Sequence, residues 1–328
     1  MVAEKKTEAI FLHGKAVKLL QAQIRVGTYK VPIEAQMKYL GLVLDSIWYF
    51  KEHMNRLVPR LKVLSACLGR LMSNIGGPGQ RARRLHVGVL NSVALYRAPI
   101  WAEALAVNHR MREQLRKTHK ILADRVIRGY KTISHEAATT LASMPPLELQ
   151  ALMYRRMYFG KKELQGRIKE DEALARAIRE MKHQTRQALL HRWKRMLAHA
   201  IYGRRVFEAV QPCLHEWVGR DFGTLTYRLT QVLTGHGCFG EYMCRIGKEP
   251  TAKCHHCDYG HDSAQHTVQD CPAWVVERGV VARELGQDLS LPTAVRSMLE
   301  SERNWGVFAS FCEAVMLQKE AAEKIRRQ

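Results

Sequence analysis

The pattern of apolar and polar positions changes near residue 50, from a spacing typical of strands to one typical of helices. Between positions 24 and 33 apolar residues alternate with polar ones on both sides of Gly27-Thr28. This alternation around a glycine-containing turn predicts a β-hairpin, and Pro32 indicates a sheet edge or strand end. The mainly apolar run from Met37 to Asp45 predicts one further, well-buried strand.

After Lys51 the apolar residues recur every three or four positions, beginning with leucines between 57 and 71, which predicts helices. Gly76-Gly77-Pro78-Gly79 should end the first of them. The further predicted helices are Arg81 to about Ala98, ended by Pro99; His109 to Tyr130; a short helix capped by Ser134 and stopped before Pro145-Pro146; one beginning near Pro146; 161–210; and 293–325. The fold class is therefore α+β, mostly α.

The net charge of +21 is concentrated in two segments. Residues 56–131 contain 16 Lys or Arg against three acids, and residues 155–206 contain 15 against five. Localised positive charge is typical of proteins that bind polyanions such as RNA or DNA. The alternative is that these helices carry ordinary solvated surfaces.

No segment of the sequence predicts a membrane span, because the most apolar stretch, 87–107, contains Arg97 and Glu103. The N-terminus has no apolar core and does not resemble a secretory signal. We therefore expect an intracellular protein.

Four potential metal ligands follow the spacing Cys-x2-Cys-x8-His-x4-Cys: Cys254, Cys257, His266 and Cys271. Three thiolates and one imidazole are the donor set of a closed structural zinc site, and the spacing is closest to a zinc knuckle of the kind that binds single strands. His255, His256 and His261 lie inside the cluster and are alternative ligands. Cys238 and Cys244 lie upstream and can be small core residues or substitute ligands. Tyr259 and Trp274 can stack on bases or pack in the core.

Several motifs occur in the order found in one family of proteins. They are Lys6-Thr7-Glu8-Ala9, Met37–Gly41 with Asp45 and His53, Gly76-Gly77-Pro78, Ser92–Tyr96 with Ala98-Pro99 and Trp101, Leu233–Gly237 with Phe239-Gly240, and the Cys/His cluster with Pro272. This ordered set resembles the C-terminal part of the reverse transcriptase polyprotein of non-LTR, LINE-type retrotransposons, as in insect elements that insert into ribosomal DNA.

The resemblance implies a division of the chain into five parts. Residues 1–50 would be the end of the reverse-transcriptase palm with the primer grip, and 51–154 the helical thumb. A basic helical linker would occupy 155–225, the glycine-rich segment and CCHC zinc knuckle 226–290, and a C-terminal helix 291–328.

The resemblance also implies that the parent polyprotein is an RNA-directed DNA polymerase, with an upstream endonuclease, used in target-primed reverse transcription. Two metal ions, Mg²⁺ in the parent, would be held by carboxylates that include an Asp-Asp pair. This chain contains no adjacent Asp-Asp, so we expect no catalytic residue in it and no polymerase activity from it alone.

We expect the segment to bind template–primer, element RNA and target DNA, in the nucleus when it acts on DNA, with no membrane partner and no small-molecule substrate. The predicted contact residues are Arg81, Arg83, Arg84, Arg112, Arg116, Lys117, Lys120, Arg192, Lys194 and Arg195. The alternatives are a domesticated, non-enzymatic zinc-knuckle protein that binds nucleic acid, and a scaffold whose zinc module binds protein.

Overall fold

The computed structural model describes residues 7–13 and 22–327, and it shows a mostly helical protein with a few short strands near its start. The predicted class, α+β and mostly α, is confirmed. Lys6 of the Lys6–Ala9 motif lies outside the described residues. Within them, no helix combines the length and the apolar character that a membrane span requires.

The elements follow one another along the chain. The strands are β1 (Ala9–Ile10), β2 (Gln23–Val26), β3 (Tyr29–Glu34), β4 (Gln36–Tyr39) and β5 (Leu42–Asp45). The helices are α1 (Lys51–Arg70), α2 (Gln80–Ala94), α3 (Ala98–Val107), α4 (His109–Val126), α5 (His135–Leu141), α6 (Leu147–Arg167), α7 (Asp171–Ala198), α8 (Arg204–Val210), α9 (Leu214–Gly219), α10 (Tyr227–Thr234), α11 (Gly240–Arg245), α12 (Val275–Leu285), α13 (Leu291–Glu300) and α14 (Glu302–Arg326). A π-helical turn, His266–Asp270, and a 3-10 turn, Pro272–Trp274, precede α12.

The predicted first hairpin is confirmed. Strands β2 and β3 are antiparallel with Ile24 opposite Val31, and β1 pairs in parallel with β3 on the other side. Val31 is buried. That these strands belong to a polymerase palm remains a prediction.

The prediction of a single strand over Met37–Asp45 is wrong. This run forms a second hairpin, β4–β5. Its two turn residues, Leu40 and Gly41, have φ of 45° and 84°, and two positive φ values in a two-residue turn match the twist of paired strands. Leu42 and Val43 are buried, whereas Tyr39 and Leu40 are exposed. The chain therefore reverses in the middle of an apolar run.

Three predicted helices are interrupted. The predicted helix 161–210 is divided among the end of α6, α7 and α8. Pro99 does not simply end a helix: α2 stops at Ala94, and Pro99 lies in the first turn of α3, where its missing N–H costs nothing. The C-terminal helix is divided at Ser301, whose side chain caps α14 by accepting a hydrogen bond from the Asn304 N–H (3.1 Å). The predicted cap at Ser134 is confirmed, since its Oγ accepts from the Ala137 N–H (3.2 Å).

The chain forms two compact units. The first comprises residues up to Ser65, Val89–Thr118 and Leu147–Arg186. Its core includes the packing of α3 on α6, with Trp101 fully buried. The Trp101 Nε1–H donates to the Tyr96 carbonyl oxygen (3.0 Å).

The second unit comprises Ala66–Gly88, His119–Pro146 and the chain from Gln187 onward. Helix α14 packs against α10, α12 and α13, and it buries Phe308, Val315 and Met316. The Cys/His cluster belongs to this unit as well.

Candidate metal centre and basic surfaces

The four predicted metal ligands lie together. One donor atom from each of Cys254, Cys257, His266 and Cys271 lies within 4.8 Å of the other three. The Cys254 and Cys271 Sγ atoms are 4.0 Å apart, and the Cys257 Sγ is 3.3 Å from the His266 Nε2. In a tetrahedron with zinc–sulfur bonds of about 2.3 Å, two sulfurs are separated by about 3.8 Å. The side chains therefore fit a tetrahedral metal ion without rearrangement of the backbone.

A tight turn presents the first two cysteines. The Cys254 N–H donates to the Tyr259 carbonyl oxygen (2.8 Å), and the Asp258 N–H donates back to the Cys254 carbonyl oxygen (3.1 Å). Asp258 has a φ of 60°, a conformation that aspartate tolerates better than most residues. These bonds turn the chain so that both thiols face the same point.

The other two ligands lie at the ends of the π-helical turn. The His266 N–H donates to the Ser263 Oγ (3.0 Å), and the Cys271 N–H donates to the His266 carbonyl oxygen (2.8 Å). The wider turn places residues five apart side by side. The His-x4-Cys spacing thus brings His266 and Cys271 side by side in the candidate ligand set.

Burial shifts the pKa values of the candidate ligands. It raises the pKa of Cys254, and it raises the pKa of Cys271 to about 12, with a further contribution from the neighbouring thiols. Burial lowers the pKa of His266 and so favours the neutral imidazole, the form that binds metals. Because thiolates are the ligating form, metal binding must release protons from these cysteines.

Residues near the ligands have structural contacts. The Tyr259 ring stacks on His266 (4.8 Å between ring centroids) and is otherwise exposed, whereas Trp274 is buried against His256. Cys238 donates to the Glu323 Oε2 (3.0 Å), and Cys244 approaches the Pro250 carbonyl oxygen. Neither cysteine belongs to the cluster of ligand atoms found among the described residues.

A buried ion pair joins this segment to α14. The Lys319 Nζ lies 2.9 and 2.8 Å from the two carboxylate oxygens of Asp262 and donates to the Thr267 Oγ1 (3.1 Å). Asp262 Oδ2 also accepts from the Gly240 N–H (2.9 Å). Both charged side chains are almost completely buried, so the carboxylate is compensated by direct contacts and not by water. Sequence reasoning missed this pair because nothing in the local pattern of Lys319 indicates burial.

Arg83, one of the predicted nucleic-acid contacts, is fully buried. Its guanidinium donates to the Pro78 carbonyl oxygen (2.9 Å) and to the carbonyl oxygens of Ser73 and Arg125. Burial lowers its pKa to about 10, with Arg128 and Arg125 adding to the effect, so it stays charged at neutral pH. Arg83 therefore fastens the Gly76–Gly79 loop and is not presented to a phosphate.

Five other predicted contacts are partly buried and engaged within the protein. Three of them donate to backbone carbonyl oxygens: Arg84 to that of Arg220, Arg112 to that of Ala106, and Lys194 to that of Pro212. Arg116 is paired with Glu113 and Glu148. Lys120 is paired with Asp124 and also donates to the Lys131 carbonyl oxygen. The remaining four, Arg81, Lys117, Arg192 and Arg195, are exposed. Burial thus divides the predicted residues into those that hold the fold and those that face solvent.

The structure adds three basic residues that were not singled out before. Arg179, Lys182 and Arg186 are exposed on α7, and their spacing of three and four residues places them on one face of the helix. No ion pair to any of them occurs among the described residues. Their spacing in the sequence was sufficient to find them.

No protein-family profile matches the chain, and no solved structure matches it. Two proteins from Nasonia vitripennis are similar to it. The Pol polyprotein of the type-1 retrotransposable element R1 4 is 23% identical over 94% of this chain and 83% of that protein. The Pol polyprotein of the element R1 2 is 20% identical over 100% of this chain and 80% of that protein. The resemblance to a segment of a non-LTR retrotransposon polyprotein, predicted from the ordered motifs, is thereby confirmed.

Proposed function

We propose that this chain is the nucleic-acid-binding C-terminal part of a retrotransposon polyprotein whose parent is an RNA-directed DNA polymerase. In target-primed reverse transcription it would hold the template–primer, the element RNA and the target DNA, in the nucleus when DNA is bound. The similarity to two retrotransposon Pol polyproteins supports the parent activity. The polymerase reaction, with its Mg²⁺ ions and carboxylates, is assigned to the parent and not to residues of this chain.

The observation that carries the proposal is the exposed basic face of α7 formed by Arg179, Lys182 and Arg186. Each cation that neutralises a phosphate releases counterions, and this release favours binding to any sequence. Side chains already paired within the protein would first have to break those bonds. The proposed phosphate contacts are therefore these three together with the exposed residues Arg81, Lys117, Arg192 and Arg195.

We also propose that the metal is zinc. Three sulfurs and one nitrogen saturate a tetrahedral ion and leave no open position for a water, which favours a structural role over a catalytic one. The ion would supply folding energy to a segment that has little core of its own. It would thus keep the knuckle in shape to contact a nucleic-acid strand.

The test is a fluorescence-anisotropy titration of the full chain with RNA and with duplex DNA at several salt concentrations. We expect the affinity to fall as salt rises, with similar slopes for different sequences. The double variant Arg179→Ala/Lys182→Ala should weaken binding to all sequences. It should also reduce the slope of log affinity against log salt by about 0.7–0.9 for each lost phosphate contact.

The matched control is Arg303→Ala/Lys324→Ala, which removes two exposed cations outside the two basic segments. Its affinity and salt slope should equal those of the unmodified chain. Equal losses in both double variants would indicate a general charge effect, and an affinity that does not change with salt would contradict the proposal.

A further inference from the structure

The first compact unit contains an aromatic cleft that the proposed phosphate contacts do not use. Its volume is about 680 Å³, and its lining includes Trp48, Phe50, Ile100, Tyr158 and Phe159. Trp48, Tyr158 and Phe159 are each exposed over nearly half of their surface (46%, 47% and 49%). Clustered apolar rings in contact with water are typical of binding surfaces.

The loop after β5 holds Trp48 in this position. The Asp45 carboxylate accepts hydrogen bonds from the N–H groups of Ile47 (3.2 Å), Tyr49 (2.8 Å) and Phe50. Trp48 and Phe50 have φ of 56° and 58°, which is rare for bulky residues and is retained where the surrounding structure enforces it. The result is that Phe50 is buried while Trp48 faces solvent.

Positive charge surrounds the rings. The Arg155 guanidinium lies 4.8 Å from the centre of the Phe159 ring, and the Lys162 Nζ lies 5.0 Å from that of Tyr158. The one acidic lining residue, Glu103, is paired with Arg155 (2.8 Å). Arg97 is exposed at the cleft and has no acidic partner in the described part of the chain.

We infer that this cleft binds unpaired nucleotides of an RNA or DNA strand. The rings of Trp48, Tyr158 and Phe159 would take the bases by stacking, and Arg97 and Lys162 would take the phosphates. Exposed aromatic rings beside cations are the combination by which proteins hold single strands without reading their sequence. An apolar peptide would cover the same rings but would bury these cations without a counter-charge. The inference rests on the proposed function, since it names the part of the nucleic acid that this surface receives.

Intrinsic fluorescence tests the inference, because the other five tryptophans, Trp101, Trp193, Trp217, Trp274 and Trp305, are buried. A base stacked on Trp48 should quench its emission. We expect a short oligouridylate and a short oligothymidylate to quench the unmodified chain in a saturable way. Trp48→Leu should abolish this quenching, and a blunt duplex DNA should cause little of it.

Affinity measurements extend the test to a second ring. Trp48→Leu and, independently, Tyr158→Leu on α6 should weaken oligouridylate binding about 5- to 150-fold while duplex binding stays unchanged. Tyr202→Leu, at an exposed tyrosine of the second unit, should leave both affinities unchanged. A difference between the two oligonucleotides would separate RNA from DNA as the preferred strand.

The outcomes are distinct for the two proposals. If the unmodified chain binds no nucleic acid at any salt concentration, the proposed function itself fails. If it binds duplex and single strands but both ring variants keep full affinity for the single strands, only the cleft inference is overturned. Dimerisation that depends on Trp48, seen by sedimentation without any quenching by oligonucleotides, would also overturn it, because the cleft would then be a contact between two copies.

Discussion

At the scale of single residues, arginines that are close in sequence have different roles. Arg81 is exposed, whereas Arg83, two positions later, is completely buried and donates to three carbonyl oxygens. Space around it is also limited, since a Cβ added to Gly77 would lie 2.6 Å from the Arg83 guanidinium. Charge alone therefore does not show which arginines can reach a ligand.

We predict that Arg83→Ala destabilises the protein by at least about 2 kcal/mol, because it leaves buried carbonyl groups without donors. Arg81→Ala is the matched control and should change the free energy of unfolding by no more than about 0.5 kcal/mol. Urea denaturation of both variants measures the difference. Equal stabilities would mean that Arg83 does not hold the loop.

A second prediction at this scale concerns the metal ligands. Native mass spectrometry should detect one zinc ion per chain, and Cys257→Ser should abolish it because the tetrahedral set loses one thiolate. The variant should also melt at a lower temperature, since metal binding contributes folding energy. Cys244→Ser, outside the ligand set, should retain the ion; retention by Cys257→Ser as well would refute this ligand set.

The grouping of the four candidate metal ligands could be predicted from the sequence, but the burial of the arginines could not. The spacing of Cys254, Cys257, His266 and Cys271 constrains them to a short segment, so local pattern was sufficient. Arg83 is different because two of its carbonyl partners are 10 and 42 residues away. Tertiary contacts decide which basic residues are buried and bonded within the protein, and a count of charges along the sequence does not reveal these contacts.

At the scale of elements, the hairpin β4–β5 shows where periodicity misleads. The pattern of its residues predicts one apolar strand. The turn depends on Gly41, whose φ of 84° is adopted without strain only by glycine. The Tyr96 hydroxyl donates to the Leu40 carbonyl oxygen (3.1 Å), a contact from α2's C-terminal side that fixes the turn. A Leu-Gly pair within an apolar run is a weaker signal than Asn-Gly, and this explains the error.

The link between Asp262 and Lys319 gives a prediction about α14. Lys319→Met should destabilise the protein by about 3–5 kcal/mol, because it leaves the Asp262 carboxylate buried without its counter-ion. Denaturant unfolding with zinc in excess would measure this loss separately from loss of the metal.

The control for this prediction is Arg303→Met, which breaks the exposed pair between Arg303 and Glu284 (2.8 Å). Exposed pairs contribute about 0–1 kcal/mol. If Lys319→Met cost no more than this control, the buried pair would not be what joins α14 to the metal segment.

At the scale of the whole molecule, stability should depend on pH through buried histidines. Burial lowers the pKa of His119 to about 3, with His135 contributing, and lowers that of His236 to about 4, with Arg245 and Lys120 contributing. Both stay neutral in the folded protein at pH 5, whereas in the unfolded chain they are largely protonated there. The unfolded state thus binds more protons below about pH 6.5, and stability must fall as the pH decreases.

We predict a loss of about 2 kcal/mol from His119 alone between pH 7 and pH 5. Urea denaturation at the two pH values checks it, and His119→Leu should reduce the difference by that amount. His109→Gln, at an exposed position, should not change it. A difference that is the same in all three proteins would mean that other groups cause the pH dependence.

The order of strands, basic helices and metal segment along the chain could be predicted, but its two compact units could not. Each unit is assembled from three separated stretches, and a pass along the sequence favours continuous segments. The functional boundaries at 50, 154, 225 and 290 therefore remain predictions. Periodicity along the sequence predicts the individual helices and strands, whereas their grouping into two units depends on contacts between distant residues.

The buried cations Arg83, Arg220 and Lys319 have a consequence for how copies of such a chain would diverge. An exchange of arginine for lysine keeps the formal charge, and at exposed positions it changes the stability of the protein very little. In the interior the planar guanidinium of Arg83 reaches three carbonyl oxygens, and that of Arg220 lies over the rings of Trp217 and Trp305. An ammonium group can reproduce neither arrangement. A copy that drifted from arginine to lysine at positions 83 and 220 would keep its isoelectric point while its architecture weakened.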